Sequence, residues 1–309
     1  MQRNTGLLCD AKMPIKIIRW ISSFLRNRRG RVKINDVLSS EVLLTAGVPQ
    51  GSILAPLLYI FYIRGMPSEL SEEIMSSFYA DDTCYGASDS THARRKVFVS
   101  SHLQQILLDL ESFCSKWRIR LNPDKTWCVN FFTNSKNDNT PRLYLKGELL
   151  QYKKVCTFLG IKLDQSLSFT EHISDIVSRA KKRLNLLKAL RGQTWGASPE
   201  TLLYTYRTFI RPILEYGCIL FSHANEELLK KIQSVEILAI KIAHSLPPWA
   251  TNTWCYDLIT FNPILHRLKE LSKKFISANQ SDELINPLLE NLKPSMTGLH
   301  SPLFKAKNF

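Results

Sequence analysis

Ser77-Phe78-Tyr79-Ala80-Asp81-Asp82-Thr83-Cys84-Tyr85-Gly86 sets two adjacent acids between two runs of strand-forming residues. Aromatic and apolar residues flank the pair on both sides, so the simplest local structure is a β-hairpin with the carboxylates at its reversal. Neighbouring strand residues point to opposite faces, but where the backbone turns back on itself two consecutive carboxylates can face one point. Two readings follow. Asp is a common turn residue and the pair can simply be solvated; alternatively the two hard-oxygen donors gather a divalent magnesium or manganese ion.

Composition narrows the choice. The chain has 309 residues, 44% of them apolar, which is enough for more than one core and predicts two lobes. A formal charge of +14 and an isoelectric point near 9.5 point to a polyanionic partner. Cys9, Cys84, Cys114, Cys128, Cys156, Cys218 and Cys255 are scattered and never form a C-x-x-C pair. That pattern argues against a disulfide framework and a zinc knuckle, and for a reducing compartment. The longest apolar run, Ile53 to Ile63, is interrupted by Pro56 and is far short of the roughly 20 residues a spanning helix needs. The expectation is a soluble intracellular protein, in nucleus or cytoplasm. The basic cluster from Arg26 through Arg28 and Arg29 to Arg31 reads equally as a targeting signal or an RNA-binding edge.

Outward from the acids, Pro14 to Arg29 has helical spacing of Ile17, Ile18, Ile21, Phe24 and Leu25, with Gly30 as its expected cap and its last arginines opposing the helix dipole. Short strands are expected over Arg31–Asn35 and Val42–Thr45. The loop Ala46-Gly47-Val48-Pro49-Gln50-Gly51-Ser52 then leads into a helix from Ile53 to Ile63; its glycines permit close backbone approach, and Gln50 carries both a donor and an acceptor. After the hairpin, Ser90 to Arg118 reads as a long amphipathic helix with Val97, Leu103, Ile106, Leu107, Leu110, Phe113 and Trp117 on one face. A turn at Leu121–Thr126, strands at Trp127–Thr133, Arg142–Leu145 and Glu148–Gln151, and a strand from Val155 to Leu163 complete an α+β region. From Thr170 the period becomes helical over Glu171–Arg191, Pro199–Leu220, Glu226–Ser245 and Pro263–Ala278. The first of these helices carries Arg179, Lys182 and Arg183 among further basic residues, a face suited to phosphates.

Read together, G-V-P-Q-G-S at 47–52, F-Y-A-D-D at 78–82, L-N-P-D-K-T at 121–126 and F-L-G-I-K-L-D at 158–164 resemble the reverse transcriptases of non-LTR retrotransposons. The stretch from Tyr206 to Gly217 is similar to the segment that follows the polymerase core in jockey-like elements. The resemblance implies a partial polymerase palm, an antiparallel sheet with helices, over residues 1–168; an all-α thumb and extension over 169–278; and a loosely ordered tail over 279–309. It implies two-metal transfer of a nucleotide from a dNTP to a primer 3′-hydroxyl, with Mg2+ or Mn2+ as cofactor and an RNA template and DNA primer as partners. Asp81 and Asp82 match the metal-binding catalytic acids, and Lys125 the lysine near the triphosphate. Gln50, Gly51 and Tyr79 match residues at the template and nucleotide, Leu159 and Gly160 the primer grip. Arg26, Arg28, Arg29, Arg31, Arg179, Lys182 and Arg183 are the expected contacts to the nucleic-acid backbone.

One feature of that family has no counterpart here. A further acid, in a stretch of the form F-D-x-x-x-H, precedes the first helix in family members; Asn4-Thr5-Gly6-Leu7-Leu8 resembles the residues just after it, and Asp10 sits too late to replace it. The expectation is a chain that polymerises poorly unless an upstream portion supplies the acid, with a non-catalytic RNA or RNA–DNA binding remnant as the alternative.

Overall fold

The computed structural model describes residues 12–45, 47–68, 74–87, 95–131, 141–192 and 196–282, without the side chains of 95–98. Asn4 to Leu8, Cys9, Asp10, the Val97 side chain, the end of the strand expected past Phe131 and the tail from 283 lie outside the described residues. Two compact units result: one holds the described residues up to Trp127 together with 141–151, the other Cys128 to 131 and Tyr152 to 282. Mixed α+β structure followed by a predominantly helical region agrees with the expected fold class.

In the first unit, α1 (Ile15–Leu25) starts at Pro14 and buries Ile18, Ile21 and Leu25 at three- and four-residue spacing. The helix was expected to run to Arg29, but it stops four residues earlier. Asn27 takes φ +51°, a conformation Asn tolerates better than most residues, and the chain turns into β1 (Arg29–Gly30). Gly30 therefore pairs with Val42 of β4 (Val42–Leu43) rather than capping a helix, and Arg26, Arg28 and Arg29 lie beyond the last turn. Between them β2 (Lys33–Ile34) and β3 (Val37–Leu38) form a small hairpin. Leu58 of α2 (Ala55–Ile63) packs with Ile18, Ile21 and Leu25, and Val48, Leu54 and Phe61 close around them.

The hairpin of β5 (Ile74–Tyr79) and β6 (Asp82–Ala87) is followed by α3 (Arg95–Trp117), which buries Ile106, Leu107, Leu110 and Cys114. The turn after it contains a single 3-10 turn, Pro123–Lys125, then β7 (Trp127–Cys128), shorter than expected. An amide clasp ties α3 to β8 (Tyr144–Leu145): Gln104 Nε2 donates to the Tyr144 carbonyl at 3.0 Å and its Oε1 accepts the Tyr144 N–H at 2.8 Å. β8 reverses into β9 (Glu148–Leu149) through Lys146 and Gly147, both at positive φ, the geometry of a type I′ turn. β10 (Gln151–Tyr152) follows. Among the described residues each strand pairs with a single partner, so the expected antiparallel sheet is present as two-stranded ladders, not one continuous sheet.

The second unit opens with a correction. The strand expected from Val155 to Leu163 is a hairpin, β11 (Val155–Phe158) and β12 (Ile161–Asp164), because Leu159 and Gly160 both take positive φ and reverse the chain. β12 packs on α4 (Thr170–Arg191), whose buried face runs through Ile173, Ile176, Val177, Ala180, Leu184 and Leu187. The single helix expected over Pro199–Leu220 is instead α5 (Pro199–Thr205), a π-helical turn (Tyr206–Ile210), α6 (Arg211–Glu215) and α7 (Cys218–Phe221). Pro212 has no N–H to donate and its ring crowds the carbonyl four residues earlier, which the wider π turn accommodates. Gly217, at φ +71°, separates α6 from α7.

α8 (Glu226–Ala243) forms the centre of the lobe with Ile232, Val235, Ala239 and Ile240 fully buried. α9 (Asn252–Asp257), absent from the expectations, and α10 (Ile264–Ala278) complete it. One continuous apolar cluster joins α4 through α10. No described helix is long and apolar enough to cross a membrane.

Candidate functional site

The register of the central hairpin places Tyr79 opposite Asp82, leaving Ala80 and Asp81 as a two-residue reversal. Ala80 has φ +51° while Asp81 does not, as at the first central position of a type II′ turn. A side chain other than Gly is strained there. Below the tip, Phe78 and Tyr85 meet edge to face at 5.8 Å, and the Tyr85 hydroxyl donates to the Pro67 carbonyl at 2.9 Å. The ladder thus holds the tip from beneath, and Tyr79, Asp81 and Asp82 are exposed.

Tyr59 of α2 senses Asp81. Burial raises the pKa of its phenol, and the charge of Asp81 raises it further, so α2 reaches the electrostatic neighbourhood of the reversal. Sequence reading missed Tyr59 because it sits inside an apolar helix. The loop that feeds α2 carries Gly47 at φ +79° and Gly51 at φ +83°, and a side chain added at either would meet nothing within 4 Å. These glycines are therefore set by backbone conformation and border open space, rather than allowing close packing within the unit. Ser52 Oγ accepts the Ala55 N–H at 3.1 Å, Arg28 Nη2 donates to the Gly47 carbonyl at 2.5 Å, and Gln50 is left exposed.

Lys125 ends the 3-10 turn, exposed. The turn is stiffened by Asn122, whose side chain accepts the Asp124 N–H at 3.1 Å and whose carbonyl accepts from the Thr126 hydroxyl at 2.9 Å. No hydrogen bond or ion pair among the described residues joins Lys125 or Gln50 to Asp81 or Asp82. Leu159 and Gly160 form the β11–β12 turn in the second unit, where the Tyr216 hydroxyl donates to the Leu159 carbonyl at 2.7 Å.

The basic residues divide by what they touch. Arg28 binds its own loop, and Arg29 and Arg31 share Glu41 at 2.9 and 4.0 Å. These exposed pairs are weak and leave the arginines able to exchange partners. Arg179 lies 3.6 Å from Asp175. Arg26, Lys182 and Arg183 are exposed.

Among the described residues no three His, Cys, Asp or Glu side chains are grouped to hold a metal. The side-chain carboxylates of Asp81 and Asp82 are exposed and carry hard oxygens of the kind a magnesium shell takes. Magnesium sites commonly take one or two carboxylates and complete the shell with water and substrate phosphate.

Residues 7–163 match the family described as reverse transcriptase (RNA-dependent DNA polymerase). The chain belongs to the reverse transcriptase family. Its relatives among mobile elements place this chain with the reverse-transcriptase family domains of non-LTR retrotransposons. It is 28% identical over 258 residues to an RNA-directed DNA polymerase from mobile element jockey of Drosophila melanogaster, covering 81% of this chain and 27% of that protein. The jockey polymerase of Drosophila funebris is 29% identical over 284 residues, 88% of this chain and 30% of that protein. A probable RNA-directed DNA polymerase from transposon BS of Drosophila melanogaster is 24% identical over 282 residues, again 88% and 30%. The chain thus spans less than a third of the length of these relatives.

Proposed function

We propose that this chain is the palm-and-thumb portion of an RNA-directed DNA polymerase, residues 1–168 serving as partial palm and 169–278 as thumb and extension. The observation that carries the reading is the exposed Asp81 at a two-residue reversal with Asp82 next to it, its charge felt by Tyr59 of α2, the helix that the Gln50-Gly51 loop feeds. Asp81 and Asp82 hold Mg2+ or Mn2+, and Lys125 neutralises the leaving pyrophosphate. Gln50, Gly51 and Tyr79 contact template base and nucleotide, and the Leu159-Gly160 turn, braced by Tyr216, steadies the primer. The divalent ions supply charge neutralisation for an in-line displacement at phosphorus and a more acidic primer hydroxyl.

Two carboxylates satisfy only part of what that chemistry asks, so the isolated 309-residue chain extends primers slowly. A primer-extension assay with RNA template, dNTPs and Mg2+ tests this. Little product from the isolated chain, and more when it is joined to the upstream segment of a jockey-like relative and lost again on Asp81→Ala, is the expected result. Abundant cDNA from the isolated chain would sink the requirement for an upstream acid; extension unaffected by Asp81→Ala would sink the assignment of the hairpin.

A second reading, a module that holds RNA or RNA–DNA duplex without chemistry, is favoured by the exposed Lys182 and Arg183 on α4 and the net charge of +14. Salt-dependent duplex binding that survives both Asp81→Ala and Asp82→Ala, with no extension in either form of the protein, distinguishes it.

A further inference from the structure

The second unit carries a groove that the polymerase reading does not use. It has a volume of about 560 Å3 and is lined by Lys181 of α4, Lys230, Gln233, Ser234 and Lys241 of α8, and Asn252 at the start of α9. Three ammonium groups border it, and no acid does. Lys230 lies 3.9 Å from Glu226, but both are well exposed and the pair does little to cancel the charge.

Beside this groove the chain displays two tryptophans. Trp249 follows the lining residue Pro248 and is 76% exposed; Trp254, in α9, is 40% exposed, and their ring centroids are 6.0 Å apart at 44°. Neither ring is buried in the core, whose members here are Ala250 and Cys255. The segment that bears them is fixed. Lys241 Nζ donates to the Pro248 carbonyl at 2.7 Å, the Leu246 N–H to the Lys241 carbonyl at 2.9 Å, and the Ala250 N–H to the Pro247 carbonyl at 3.0 Å. Thr251 Oγ1 then caps α9 by accepting the Trp254 N–H at 3.2 Å. An exposed indole on a pre-ordered turn loses little freedom when something stacks on it.

We propose that this face of the helical lobe is a binding site for single-stranded RNA, with bases stacking on Trp249 and Trp254 and the phosphates following Lys181, Lys230 and Lys241. Cationic grooves with aromatic platforms suit unpaired strands because every base has a stacking face, whereas paired bases are already stacked on one another. Gln233, Ser234 and Asn252 add hydrogen-bonding groups for sugar or base edges. Ile237, Leu238 and Pro248 also line the groove, but the three lysines interrupt the contiguous apolar face that a membrane would need, which disfavours a lipid surface. The choice of ligand rests on the nucleic-acid reading of the chain, but the site needs neither Asp81 nor a metal.

The test is fluorescence anisotropy of the full chain with a labelled oligouridine of about twelve nucleotides, a length within the span of known single-strand sites. A paired primer–template and anionic vesicles serve as comparison ligands. Trp249→Ala with Trp254→Ala weakens oligouridine binding roughly ten-fold or more. It leaves primer–template binding and the thermal midpoint unchanged, and Trp249→Phe restores most of the loss. Lys181→Gln with Lys230→Gln lowers the slope of log K against log salt by about 1.4, two phosphates at roughly 0.7 each. Unchanged oligouridine binding by the tryptophan variants, equal losses for single strand and duplex, or binding to vesicles alone would each overturn the proposal. Tryptophan-dependent binding with no primer extension even after the upstream segment of a jockey-like relative is joined counts against the polymerase reading only.

Discussion

Asp164 Oδ2 accepts the Phe169 N–H at 2.7 Å, and this bond joins the end of β12 to the first turn of α4. Phe169 sits at φ +59° with its ring buried, so the carboxylate holds a conformation that costs an L-residue about 1–2 kcal/mol. The other oxygen, Oδ1, accepts from the Ser166 hydroxyl at 2.7 Å, the Ser166 N–H at 3.2 Å and the Ser168 N–H at 2.9 Å. Partial burial pushes the Asp164 carboxyl up, but the Ser166 hydroxyl and the Ser168 and Phe169 N–H groups together outweigh it and hold the pKa below its usual 3.8. A depressed pKa means a contribution to stability that is complete above pH 3.8 and fades as pH falls through the folded value. Asp164→Ala should lower stability by about 1–3 kcal/mol at neutral pH. Urea unfolding at pH 7 and pH 3 checks it, since the difference between wild type and variant must shrink at the lower pH.

Glu236 behaves in the opposite sense. It is 0% exposed in α8; burial raises its pKa above the usual 4.5 despite the Ile264 N–H donated to Oε2 at 2.7 Å and the nearby Arg211. For a raised acid the folded state holds the proton more tightly, so its cost to stability is absent below pH 4.5 and grows as pH rises through the folded value. Glu236→Gln keeps an acceptor for Ile264 and should flatten the fall in urea midpoint as pH rises above 4.5. A variant with the wild-type slope would show that the carboxyl does not titrate across that range.

The Tyr206 to Gly217 stretch makes its clearest demand at its last residue. A Cβ on Gly217 would lie 2.5 Å from Ile161 Cδ1, and the residue is at φ +71°. Gly217→Ala should therefore cost the about 1–2 kcal/mol of the backbone conformation plus a smaller amount for turning the Ile161 terminal methyl aside. Gly160→Ala, whose added Cβ would meet Tyr216 Cε1 at 3.4 Å, should cost no more than the backbone conformation does. Thermal midpoints of the two variants, compared side by side, must show Gly217→Ala as the less stable.

Proximity of α2 to the acids can be read without any substrate. Removing the charge in Asp81→Asn should lower the Tyr59 phenol pKa, yet leave it above 10.0 because burial is the larger cause. Titration of the labelled Tyr59 signal by NMR measures it. No movement on Asp81→Asn would separate the hairpin tip from α2.

Much of the site's local chemistry was written in residue order. The hairpin around Asp81 and Asp82, the turn ahead of Lys125 and the helical period from Thr170 all rest on neighbours within a few positions, where backbone preference and side-chain periodicity act directly. The errors fell where a local signal met a longer-range demand. The helix was expected to run to Arg29 with Gly30 as its cap, but the chain turns at Asn27 and pairing with β4 draws Arg29 and Gly30 into β1. Pro199 to Leu220 carries a helical period, but Pro212 and the left-handed Gly217 break it into a π turn and three helices.

From the linear order alone came the family, the adjacent acids at a reversal and the basic character of the chain, because spacing and charge are properties of the chain as written. Only the folded lobe decided that Glu236 lies under the start of α10, that Asp164 sets the left-handed residue ahead of α4, and that Trp249 and Trp254 stand beside three lysines drawn from two helices. Glu236 and Ile264, and the lysines and tryptophans, are distant in sequence, and the burial of the apolar faces of α4, α8 and α10 brings their elements together; Asp164 and Phe169 are close in sequence, but a hydrogen bond to a left-handed residue leaves no periodic signal.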